Sequence, residues 1–139
     1  MRLPAPEDRY PSSDDYQRLV PLRIPGGWQV AINKLRAGMD VDLATVGGSS
    51  QFYAINPGTR FCIDVEFLPE FDPAGRFHLT VLYEPWPRTE RGRRWTHTPF
   101  MLTAHAQQVH HAEVEDYRAL LETLEHWIAR CTVWTKEAG

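Results

Sequence analysis

The chain has 139 residues, 42% of them hydrophobic and 12% aromatic, with a formal net charge of −3; that length suits one domain with its own core and leaves little room for two. A mild acidic excess has the wrong sign for a surface built to track nucleic-acid backbone, and no window approaches the run of about 18 apolar residues that a membrane span needs. Cys62 and Cys131 stand in no CxxC pair, so no zinc-ribbon or redox motif can be drawn, and both are expected to be reduced thiols. Met1 to Pro6 has one Arg and no apolar stretch, which is unlike a signal peptide and predicts a cytoplasmic location.

Residues 1–12 hold Pro4, Pro6 and Pro11 among charges and read as a loose lead-in to a single domain spanning 1–139. Ser12 followed by Asp15 resembles a capping box and predicts a short helix over 13–20, stopped by Pro21. After Pro25-Gly26-Gly27, large apolar residues at Trp28, Val30 and Ile32 alternate with small or polar ones, which predicts a half-buried strand over 28–33. A second short strand is predicted over 41–46, between Gly38 and the turn residues 47–50.

Residues 52–55 predict another strand, joined by a turn at 56–59 to the clearest one, 61–67. There Phe61, Ile63, Val65 and Phe67 fall on one face and Asp64 and Glu66 on the other. Residues 77–84 alternate in the same way, with 77, 79, 81 and 83 inward, and the short connection makes this strand an antiparallel neighbour of the last. A final strand is predicted from Phe100 to about Gln108.

Residues 113–136 predict a helix, because Val114, Tyr117, Leu120, Leu121, Leu124, Ile128 and Cys131 recur at three-and-four spacing. Glu113, Glu115 and Asp116 in its first turn, and Arg130 and Lys136 near its end, match the helix dipole. The expected architecture is α+β, an antiparallel sheet of five to six strands packed against a long C-terminal helix.

On these strands Asp40, Asp42, Asp64, Glu66 and Glu84 share a polar sheet face with Gln29 and Asn33. Carboxylates at i and i+2 stand about 7 Å apart along a strand, a spacing similar to that of glycosidase acid pairs. No aromatic groove or buried acid accompanies them in the sequence. The face reads either as ordinary solvated surface or as a docking surface for a basic partner, for which an acidic patch gives faster encounter and specificity.

His97, His105, His110 and His111 cluster, but their spacing is not one of the recurring zinc patterns, and no HExxH is present. No metal or cofactor is expected. The basic loop 88–95, with Trp86 beside it, interleaves arginine and aromatic side chains as nucleic-acid grips do. Trp86, Arg91, Arg93, Arg94 and Trp95 are therefore an alternative binding loop, set against the plainer reading of a solvated hairpin. Gly47-Gly48-Ser49-Ser50 lacks the Lys-Ser/Thr of a phosphate loop, and there is no GxSxG elbow, so no nucleophile is assigned. Five tryptophans exceed what the core needs; Trp127 and Trp134 flank the helix stripe, and one of the five is expected to be an exposed anchor.

The run Leu22-Arg23-Ile24-Pro25-Gly26-Gly27-Trp28-Gln29-Val30-Ala31-Ile32-Asn33-Lys34-Leu35 resembles the opening of small bacterial immunity proteins found beside polymorphic, contact-dependent or type VI toxins. The resemblance covers about fourteen residues and transfers no binding residue. It implies a non-enzymatic protein that neutralises a cognate basic toxin by stoichiometric occlusion. The alternatives are a nucleic-acid- or ligand-binding module using the 88–95 loop, and a small enzyme using the sheet carboxylates or the histidines.

Overall fold

A computed structural model describes residues 18–136. Five strands, β1 (Gln29–Asn33), β2 (Phe52–Asn56), β3 (Phe61–Leu68), β4 (Arg76–Tyr83) and β5 (Gln107–Val114), form one antiparallel sheet in chain order, followed by helix α1 (Tyr117–Val133). Each strand pairs with its sequence neighbour, the simplest outcome of short connections between alternating segments. The α+β arrangement is the one the sequence predicts. No described helix is long and apolar enough to cross a membrane.

Alternation in β2, β3 and β4 divides the sheet into two faces. Phe52, Ala54, Phe61, Ile63, Val65, Phe67, Phe77, Leu79, Val81 and Tyr83 are buried on the inner face. α1 lays Tyr117, Leu120, Leu124, Ile128 and Cys131 against them, each such side chain contributing about 1.5–3 kcal/mol of apolar transfer. Aromatic pairs lock the two layers, with Phe77 to Tyr117 at 5.5 Å and Phe61 to Trp134 at 5.2 Å between ring centroids. At the edge strand, Trp28 Nε1 donates to Thr132 Oγ1 at 2.9 Å. The Tyr117 hydroxyl donates to the Arg36 carbonyl at 2.9 Å, tying the 34–50 segment to the start of α1.

Several predicted features differ. Residues 41–46 form no strand; 39–41 and 43–45 are short 3-10 turns. Gly38 enters them with φ +76°, and Thr45 turns back on Asp42, both its N–H (3.2 Å) and its hydroxyl (2.8 Å) donating to that carbonyl. Such local bonds compete with a ladder. Asp40 and Asp42 are thus exposed on this connection and not on the sheet.

β1 carries a bulge between Val30 and Ile32, so Ile32 pairs with Tyr53 and Asn33 with Phe52. A bulge resets the two-residue period: Gln29 keeps the outer face opposite Ile55, whereas Asn33 moves to the inner side, where its Oδ1 accepts from Leu35 N–H at 3.1 Å. The last strand lies later than predicted, at Gln107–Val114. The helix starts at Tyr117, because the Asp116 carboxylate accepts from Ala119 N–H and caps it there. Of the predicted helix over 13–20, residues 13–17 lie outside the described residues. Residues 18–20 are extended, with Leu19 bridging Arg36.

Candidate functional site

α1 covers the inner face alone; of the outer side chains Cys62 is fully buried, while those of Asp64, Glu66, His78, Thr80 and His111 remain at least partly exposed, in rows set by the register. Asp64 lies opposite Thr80, and Thr80 opposite His111; Glu66 lies opposite His78, and His78 opposite Glu113. Ser50, arriving from the loop before β2, donates its hydroxyl to Asp64 Oδ1 at 2.6 Å. Thr80 Oγ1 and His111 Nδ1 are 3.0 Å apart, and His111 Nε2 and His78 Nδ1 are 3.4 Å apart. Ser50, Asp64, Glu66, His78, His111 and Thr80 therefore form one polar patch across three strands.

Partial burial is the main cause that raises the pKa of both carboxyls. For Asp64 the Ser50 hydroxyl and Glu66 offset it, whereas for Glu66 the Asp64 charge adds to it and His78 opposes it. Among the described residues no lysine or arginine is paired with either. Arg76, one strand over, is engaged with Glu113 at 3.7 Å and Glu115 at 3.5 Å. The patch can accept hydrogen bonds from a cationic group, and such a group would relieve the strain of holding two partly desolvated carboxyls side by side.

Glu84 does not join this surface. It is 4% exposed, because residues 85–106 fold back over the end of β4, and its two oxygens accept from Thr103 N–H (2.7 Å) and the Thr103 hydroxyl (2.8 Å). Of the five predicted carboxylates, the structure brings together Asp64 and Glu66, buries Glu84 and places Asp40 and Asp42 elsewhere.

The histidines are separated in the same way. His110 faces inward and stacks on Trp127 at 4.5 Å, His111 faces outward, and His105 lies in the loop before β5. Among the described residues, no group of three His, Cys, Asp or Glu is placed to hold a metal ion. His78, not counted with that cluster, is the one that meets His111. Its outward position followed from the alternation of β4, but its partner could not be read while β5 was placed too early.

The arginine-rich segment is a small hairpin. Arg88 and Arg94 bridge it, Thr89 N–H donates to Arg93 at 2.8 Å, and Trp95 N–H donates to Pro87 at 2.7 Å. Arg91 and Arg93 are exposed near its tip. Trp86 packs under the guanidinium of Arg60 at 4.5 Å, with that of Arg94 at 5.7 Å, while Trp95 remains half exposed. Beside the hairpin opens a pocket of about 530 Å³ lined by Arg60, Glu84, Trp86, Trp95, Met101 and His105, among others. Arg60 occupies the β2–β3 turn and gave no sequence signal of burial, because what buries it is more than twenty residues away. No family model, curated protein or solved structure matches the chain.

Proposed function

We propose that the chain is an immunity-type protein that binds a basic cognate toxin and occludes its active site or substrate surface stoichiometrically. The observation that carries this reading is the outer face of β3–β5. Two half-buried carboxyls there lack a cationic partner among the described residues, although Arg76 and its acidic partners stand one strand away. A lysine or arginine from a docking protein supplies the missing charge where it is partly shielded from water, the setting in which ionic complementarity contributes most to specificity. The resemblance of residues 22–35 to the opening of immunity proteins points the same way.

The test is co-expression with the toxin encoded beside this gene. The chain should restore growth and form a 1:1 complex measurable by calorimetry, and Asp64→Lys with Glu66→Lys should abolish the complex while leaving the far-UV CD spectrum unchanged. Absence of both rescue and complex would sink the reading. A complex insensitive to the double reversal would move the interface off this face.

A further inference from the structure

Arg60 is a buried cation whose hydrogen bonding is incomplete. Its side chain is 3% exposed and lies between the rings of Trp86 (4.5 Å) and Phe100 (4.7 Å). Nε donates to the Glu84 carbonyl at 3.0 Å, and Nη2 reaches the Pro85 carbonyl at 3.4 Å. Nη1, with two N–H groups, has no hydrogen-bond partner among the described residues. The nearby Glu84 carboxylate supports the Arg60 charge through space, but its two oxygens accept from Thr103 and not from the guanidinium. A guanidinium presents five donors, and Nη1 is not fully enclosed, so its N–H groups stand open to water or to a ligand.

Arg60 also lines the 530 Å³ pocket, a volume within the range of small-molecule sites. Trp86, Trp95, Met101 and the prolines 85, 87 and 99 supply its apolar walls. The hairpin bond from Trp95 N–H to Pro87 and the prolines themselves hold these walls in place before any ligand arrives. An apolar enclosure with one under-coordinated cation is complementary to a flat apolar body bearing one anionic group. A nucleobase suits it less, since it carries no anionic group for Arg60 to meet.

We infer that this pocket binds a small aromatic monocarboxylate, its carboxylate accepting from Arg60 and its ring packing among Trp86, Trp95 and Met101. The site is distinct from the β3–β5 face and does not depend on the toxin-binding reading.

Indole-3-acetate is a suitable probe for the full chain, followed by calorimetry and by the indole N–H signals of Trp86 and Trp95 in ¹H–¹⁵N spectra. It should bind at least about tenfold tighter than 3-methylindole, which lacks the acceptor. Trp95→Ala, at a half-exposed position that leaves Arg60 intact, should weaken binding at least about fivefold with an unchanged thermal melt. Asp64→Lys with Glu66→Lys should bind the probe like the parent chain, whatever its effect on a toxin. Equal binding of 3-methylindole, indifference to Trp95→Ala, or no shift at millimolar probe would overturn the inference. Tighter binding of an acidic tryptophan-containing peptide than of indole-3-acetate would overturn it in favour of a peptide-docking site.

Discussion

Asp64 and Glu84 both follow the outward alternation of their strands, yet they have opposite surroundings, and the difference is measurable. Glu84 is sealed by the 85–106 segment and holds both donors of Thr103. Glu84→Ala leaves those donors and Arg60 without it and should cost about 2–4 kcal/mol in urea unfolding. Asp40→Ala, at an exposed position, should stay within about 0.5 kcal/mol; equal costs would refute the buried role. Glu66 differs again. Its pKa is raised above the ordinary 4.5, chiefly by burial and then by the Asp64 charge. The folded state therefore holds a proton that the unfolded chain has released in the window just above 4.5. The contribution of Glu66 to stability is greatest below that window and falls as pH rises through it. Glu66→Gln removes this fall, so the variant should gain on the parent chain as pH increases across the window, measured by urea midpoints. A constant difference between the two would show that Glu66 is not perturbed.

At the level of elements, legibility followed burial. β2, β3, β4 and the apolar stripe of α1 were readable because one face of each is fully covered, so the period of two, or of three and four, is enforced by the core. β5 was not, since Gln107–Val114 has no fully buried position and its sequence shows no clean alternation. In β1 a single bulge reversed the facing of Ile32 and Asn33, a backbone event that composition does not announce. The pairing of Asp64 with Glu66 was legible within one strand. Arg60 and its pocket were not, because a turn residue became buried only through contacts with residues 84–100. The boundary of α1 has its own local cause in Asp116, and Asp116→Ala should cost about 1 kcal/mol. Thr132→Val should cost a similar amount by leaving Trp28 Nε1, its partner at 2.9 Å, without an acceptor. Both are read by chemical denaturation. No loss for Thr132→Val would mean that Trp28 is held by packing alone.

Over the whole molecule, charge is segregated beyond what a net −3 suggests. Four arginines sit in the 88–94 hairpin, so the remaining surface is more acidic than the total implies, and the β3–β5 face carries its carboxyls in a partly desolvated state. A basic partner docking there stabilises the ionised forms of Asp64 and Glu66 and lowers their pKa values, so complex formation releases protons. Two dependences follow. Affinity should weaken as pH falls through the raised carboxyl pKa values, because protons then compete with the partner's cations. Association should slow as salt rises, since steering by exposed charge is screened over about 8–10 Å at physiological ionic strength. Calorimetry in buffers of different ionisation enthalpy reads the proton release directly, and Asp64→Asn with Glu66→Gln should remove both the release and the pH dependence. A complex that forms with no proton exchange, and whose affinity is the same across that window, would place the partner away from these carboxyls and leave the arginine hairpin as the surface to probe.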